Sequence, residues 1–563
     1  MVIRFFKFLI VILLFQNPLY SKNNSLNDIN SHYLSNYFSG IVAYDNNNNP
    51  EALNFFKTSK YLIKNHDSYL KRYIYSLVLE GKVIEAKNEI KLNLTDSNSN
   101  FFEAHLILAL DNLKNNKYKS SQKHLQRTYE FIKNDKISLV IVETLKNYLH
   151  VFQEKKIPNK KKEYGNFSFI NQVFQRCYLN DENTETYFRG LINNQNEKNY
   201  SRYIFFYLSY LIENNNYEEA SKISDELNYL NSTLLISQGK NWIEEKKFKH
   251  FNKIFSCKKP NDLLSELFFL VANLYSSQGN FEESNFYMNI SYYLNPKFIY
   301  NLSLLADNYH QNKDYSKTLK FLSLFKKDDQ FFYWYRLKKE AQIISQKEDS
   351  ETSLDFISSK FKELKNPSIK IIFDFANLNK NSKKYKEAIK LYNQVLLNID
   401  KKSELYSEIL YRRGSSYERV GDYKNGDKDL IKSLEINPDD AYVLNYLAYS
   451  WLERDYKINE ALQMLEKAYD TKSSDPYIID SIGWAYYLVQ DYKKAENFLR
   501  RAVELMPDDP TVNDHYADIL WKMNRKMQAR YFWQSVLNLE DTSEKMKKNI
   551  ENKLIEGLED ISS

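Results

Sequence analysis

The residues best suited to chemistry sit together near the C-terminus. In NDHYADILW, Asp514 and Asp518 are four apart and His515 and Asp518 three apart, spacings that share one face of a helix, so two carboxylates and an imidazole are grouped as a divalent cation would require. A second chemistry suits the same neighbourhood better. Asp480 before Trp484, and Asp514 and Asp518 before Trp521, set fixed carboxylates beside large aromatic faces, a combination that recognises basic or amide donors on another chain. Nothing else completes a reaction centre. His32, His66, His105, His124, His150, His250 and His310 lack ligand spacing, and Gly-x-Ser-x-Gly, phosphate-loop and His-Glu-x-x-His patterns do not occur. The expectation is a non-enzymatic binding protein with no catalytic residue, no cofactor and no metal.

These residues need elements that hold them in register, and the chain supplies repeats. Pro476 to Asp509, PYIIDSIGWAYYLVQDYKKAENFLRRAVELMPDD, carries Ile479, Ile482 and Tyr486 at helical spacing on a first stretch and Leu499 and Val503 on a second. Neither stripe is buried by one helix alone, so the two must pair. Gly483, Ala495 and Ala502 are small where the helices approach, Gln490 and Asp491 turn the chain, and Pro507 ends the second helix. With Gly483, Tyr486, Tyr492, Ala495, Leu499, Ala502 and Pro507 spaced in this way over a unit of about 34 residues, the stretch resembles a tetratricopeptide repeat (TPR).

The resemblance implies an all-α fold, a right-handed α-solenoid of stacked helix-turn-helix repeats, with a concave groove walled by the first helix of each pair. At the groove-facing places of the last three repeats stand Tyr442, Asn445, Tyr449 and Leu452; Tyr477, Asp480, Trp484 and Tyr487; and Thr511, Asp514, Asp518 and Trp521. An aromatic and acidic wall of this kind favours a peptide carrying basic side chains; packing between repeats is the competing use of the aromatic set. TPR co-chaperones that grip an acidic tail resemble a pattern with Lys where this chain has Tyr411, Asn445, Asp480 and Asp514, so that grip is not expected.

Repeat register divides the rest of the chain. Residues 23–135 form a degenerate N-terminal block, and 136–200 an irregular helical segment, apolar-periodic from Ile137 to Phe152, with the basic linker QEKKIPNKKKEYGN. Residues 201–365 form a middle block, with a helix pair expected on periodicity alone from Phe331 to Lys365. The C-terminal block, 366–540, holds the strongest copies, although Arg413 and Gly426 replace the usual Leu and Ala. A solenoid end needs a lid. Residues 541–563 supply a capping helix, opened by a capping box of Asp541 and Glu544 and striped by Met546, Ile550, Leu554 and Leu558.

Composition sets the outer limits. Only 11 Gly and 10 Pro leave few turn-breakers for a sheet-rich protein. A net charge of +6 from 79 basic and 73 acidic residues is close to balanced and argues against nucleic acid. Cys177 and Cys257 form no Cys-x-x-Cys and are expected as two unpaired thiols. Residues 1–22, MVIRFFKFLIVILLFQNPLYSK, place Arg4 and Lys7 before a short uncharged run, the order of a signal peptide, with an uncleaved anchor as the alternative. The C-terminal repeats also resemble those of exported alphaproteobacterial TPR proteins. The chain is therefore expected to be an interaction scaffold or adaptor of the bacterial cell envelope, periplasmic, binding a protein or peptide and no nucleic acid. The alternative is an accessory subunit of an envelope glycan synthase or hydrolase. Peripheral membrane association and oligomeric state stay open.

Overall fold

The computed structural model describes residues 31–558 apart from 47, 65–67, 95–100, 133–134, 160–162, 193–200, 228–229 and 231, so the leader lies outside the described residues. Those described are helical, in short helices joined by turns, with no strand among them. None of these helices is long and apolar enough to cross a membrane. The chain divides into two compact units: Met1–Leu227 with Thr233–Phe332, and Asn228–Ser232 with Tyr333–Ser563.

The first unit is closed upon itself. Its early helix pairs pack against the later helix Phe281–Leu294. Tyr75 stacks on Phe286 with centroids 4.4 Å apart, Asn289 donates to the Leu79 carbonyl at 3.2 Å, and Lys114 donates to the Tyr293 carbonyl at 2.7 Å. Lys317 reaches Glu80 at 3.1 Å. These early helices are thus packed against a later part of the same unit. The apolar-periodic segment appears as the helix Lys136–Glu154, followed by non-helical backbone where the basic linker begins.

The cysteines overturn the sequence expectation: Cys177, near the end of the helix Asn166–Leu179, is disulfide-bonded to Cys257, and the two Cα atoms are 5.8 Å apart. A sequence separation of 80 carries no pairing signal; only the packing of the unit brings the thiols together. Replacing both cysteines by serine is expected to destabilise this unit by about 2–4 kcal/mol, because the unfolded chain regains the freedom of a long loop. The measurement is the urea midpoint of the unit, and an unchanged midpoint in the double variant would contradict it.

The second unit stacks helix pairs in order. The pair expected from Phe331 to Lys365 is present as Gln330–Lys347 and Ser350–Lys362. Then come Ile369–Asn381 with Tyr385–Leu396, Glu404–Arg419 with Tyr423–Ile436, Ala441–Leu452 with Ile458–Thr471, Pro476–Leu488 with Tyr492–Leu505, and Pro510–Lys522 with Lys526–Val536. Three of the first helices start alike: Asp440, Asp475 and Asp509 each accept two backbone N–H groups of the first turn. Between paired helices the turns are made by left-handed residues, Gly421, Asp455, Gln490 and Asn524. Gly483 permits a close approach of its two helices, since a Cβ there would meet Leu499 Cγ at 2.7 Å.

The odd residues at the second of these pairs prove complementary. Arg413 is held by Asp429 at 2.6 Å, and Gly426 lies against the Gly414 carbonyl. Ser407 and Ser433 each donate to the other's carbonyl at 2.9 Å, tying the ends of the two helices together. The last helix, Glu544–Glu556, places Ile550 fully inside the terminal core with Met546, Leu554 and Leu558 packed around it, as a lid should. Its cap is not the expected Asp541–Glu544 box. Ser543 fills the N-cap and accepts the Met546 N–H at 3.3 Å, because the helix begins at Glu544 and leaves Asp541 outside it.

Candidate functional site: a tyrosine and carboxylate cleft beside a buried acid network

The first helices of four consecutive pairs in the second unit line one cleft of about 510 Å³. Asn445, Tyr449 and Glu453 come from one helix end to the next turn, Tyr477 and Asp480 from the following first helix, and Thr511 from the one after. Glu418, Glu453, Asp480 and Asp509 supply four carboxylates against the two guanidiniums of Arg419 and Arg454. Arg454 is already committed to Asp427 at 2.8 Å. Tyr477 is 61% exposed and stands at the rim. Burial, then the Glu453 carboxylate, push the Tyr449 hydroxyl well above the usual phenol range, so it stays a neutral donor at any physiological pH. Asn445 Oδ1 is buried in the wall with no hydrogen-bond partner among the described residues.

Of the residues singled out in the sequence, Asn445, Tyr449, Tyr477, Asp480 and Thr511 meet at this cleft. Tyr442, 52% exposed, sits one turn away, and Leu452 is buried in the core. Trp484 and Tyr487 lie deeper, stacked on each other with centroids 4.6 Å apart. Trp484 also stacks on His515 at 4.2 Å.

Asp514 and Asp518 do not face an open surface. Lys553, from the last helix, donates to Asp514 Oδ1 at 2.7 Å and to Asp518 at 2.9 Å. The Trp533 indole N–H donates to Asp518 Oδ1 at 3.0 Å. His515 Nδ1 lies 3.0 Å from Asp480 Oδ2. The grouping that suggested a cation in the sequence is thus filled by an ammonium of the chain itself. Trp521 is covered too: it packs on Trp533 at 5.2 Å, and Gly557 comes so close that a Cβ there would lie 2.1 Å from its ring.

The network holds more carboxylate than the ammonium can match. Burial first, and then Asp514, push the Asp518 acid up to about 7. Burial pulls the His515 imidazole down, but the Asp480 carboxylate outweighs it and the net shift is upward. The same balance, burial against two carboxylates, leaves Lys553 raised. Sequence reading missed Lys553 and Trp533 as partners because both lie outside the first helices; the charge at position 553, on the otherwise apolar inward side of the lid, was the only trace.

Comparison of the sequence with known families and proteins agrees on the repeat. A tetratricopeptide repeat family profile matches residues 343–542. The TPR repeat-containing protein PA4667 of Pseudomonas aeruginosa is 35% identical over 100 residues, 18% of this chain; the match spans only 17% of that protein's length. Among solved structures, MamA from Desulfovibrio magneticus RS-1 is 19% identical over 31% of this chain and 97% of its own, with a TM-score of 0.27. The TPR protein TTC0263 of Thermus thermophilus is 18% identical over 33% of this chain and 100% of its own, with a TM-score of 0.29.

Proposed function

Because this chain is a tetratricopeptide-repeat protein, with the repeat matched over residues 343–542, we propose that its second unit is an interaction scaffold that holds a partner peptide in the tyrosine and carboxylate cleft. The observation that carries this reading is Asn445 Oδ1, a buried acceptor left without a donor in the wall of an open cleft. An extended peptide brings backbone N–H groups in a row, and the excess of carboxylates selects a segment with basic side chains. Tyr477 and Tyr449 offer the aromatic faces.

The proposed setting is the cell envelope, after export. The leader pattern supports it, and so does the Cys177–Cys257 bond, which an oxidising compartment would preserve. Fractionation with thiol alkylation checks this: the chain is expected in the periplasmic fraction with both cysteines resistant to alkylation. Recovery in the cytosol with free thiols would overturn it.

For the cleft, a photo-crosslinker at Tyr477 in native cells is expected to capture a discrete protein, and Tyr477→Ala is expected to weaken that complex by about 2 kcal/mol with an unchanged melt. Glu453→Lys is expected to weaken it further and reverse its salt dependence. If both variants melt normally and retain the captured partner at full strength, the cleft is not the binding site. Capture of one envelope glycan enzyme as the sole partner would favour the accessory-subunit reading of the same surface.

A further inference from the structure

The first unit contains a second cavity, of about 360 Å³, whose walls are of the opposite charge. Five lysines from separate parts of the chain converge on it: Lys114 from the end of the helix Phe102–Lys114, Lys253 from Lys249–Ile254, Lys258 and Lys259 from the loop that follows, and Lys297 beyond Phe281–Leu294. None of the five forms an ion pair among the described residues. Lys114 donates to a carbonyl and lies over the Tyr293 ring, and Lys259 donates to the Asn252 carbonyl at 3.2 Å. The same unit pairs its lysines elsewhere, as Lys60 with Glu89 at 2.6 Å and Lys91 with Asp111 at 2.9 Å. One carboxylate, Asp262, lines the cavity, and it already accepts the Ser256 N–H at 2.9 Å.

Five like charges around one hollow repel, and an anion seated there relieves all of them together. Two further features fit such a guest. The 18-residue helix Pro260–Ser277 begins at the cavity with no side-chain cap; Pro260 has no N–H and the Asp262 N–H is bonded to the Lys259 carbonyl, so what the helix offers there is the positive end of its dipole. The loop carrying Lys258 and Lys259 starts at Cys257, and the disulfide to Cys177 ties its backbone to a second helix, so the chain that carries two of the lysines is anchored before any ligand arrives. We propose that this cavity is an anion site for a phosphate group, whether free or esterified in a lipid headgroup.

The experiment uses the full mature chain. Inorganic pyrophosphate is titrated calorimetrically, and sedimentation is measured with vesicles of phosphatidylcholine containing phosphatidylglycerol. The variant is Lys253→Gln with Lys258→Gln and Lys297→Gln. The control, Lys57→Gln with Lys82→Gln and Lys119→Gln, removes the same charge from this unit outside the cavity. All six lysines are solvent-exposed apart from Lys82, which is half-buried, so the fold is expected to survive in both. Pyrophosphate is expected to bind, with affinity falling as salt rises, about tenfold more weakly to the cavity variant and unchanged in the control. Pyrophosphate binding without vesicle binding identifies a soluble phosphate as the ligand. Vesicle binding that pyrophosphate displaces, and that the cavity variant loses, identifies a headgroup. The proposal is overturned if neither probe binds, if the cavity variant binds as well as wild type, or if the control loses as much.

Discussion

Lys553→Met is expected to destabilise the second unit by about 3–5 kcal/mol, the usual consequence of leaving buried charge uncompensated. Among the described residues its ammonium is the only Lys or Arg cation at hydrogen-bond distance from Asp514 and Asp518, and all three side chains are nearly out of water. A methionine keeps the packing against Trp533 while removing that charge, so the loss reads the electrostatics of the site and not a cavity. The internal comparison is Lys547→Met on the same helix, whose pair with Glu544 is exposed and three residues apart; it should change stability by less than about 0.5 kcal/mol. Tryptophan fluorescence during urea unfolding reports the right unit, because Trp334, Trp451, Trp484, Trp521 and Trp533 lie in it and only Trp242 lies in the other. Adding Asp518→Asn to Lys553→Met should recover part of the loss, since one unpaired carboxylate disappears. Deleting residues 541–563 removes Ile550 and Lys553 together and is expected to fray or aggregate the terminal pair. Equal effects of Lys553→Met and Lys547→Met would show that the lid holds by its apolar stripe alone.

The lid illustrates what was legible in the sequence. Its existence, its stripe and the helix pairs beneath it follow from local periodicity, because helical spacing is a property of neighbours in the chain. Gly483 beside Leu499 and the turn at Gln490 were legible for the same reason. What escaped depends on residues far apart. Lys553 meets Asp514 across 39 residues, the cysteines meet across 80, and the early repeats meet Phe281–Leu294 across about two hundred. The groove-facing rule for single helices puts Asp514 and Asp518 on an open wall, and it cannot see the lid helix whose Lys553 covers them. Asn445, Tyr449, Tyr477 and Asp480, farther from the lid, are left at an open cleft. The departures at Arg413 and Gly426 were visible as exceptions, and only the Asp429 contact gives the first of them a reason.

The same buried network predicts an unusual dependence on pH. With Asp518 pushed up to about 7, the folded protein keeps a proton that an unfolded aspartate, near pH 4, has long released. The folded state therefore binds more protons between about pH 4 and 7, and stability falls as pH rises through that window. His515 acts in the same sense, its shift being upward: its contribution is complete below about pH 6.5 and is lost as pH rises through the higher folded value. The charged groups facing the pair are Asp480, Asp514 and Lys553, and Lys553, also shifted upward, stays protonated throughout. The second unit is accordingly expected to be more stable at pH 5.5 than at pH 8, by a few kcal/mol at most, on the order of what the displacement of one carboxyl allows. Asp518→Asn should remove most of that slope while preserving an oxygen for the Trp533 indole, and Asp480→Asn should remove the smaller part that belongs to His515. Urea midpoints across the pH range provide the test. A midpoint that is flat in wild type, or a slope that survives in Asp518→Asn, would mean that Lys553 alone balances both carboxylates and that no extra proton is held.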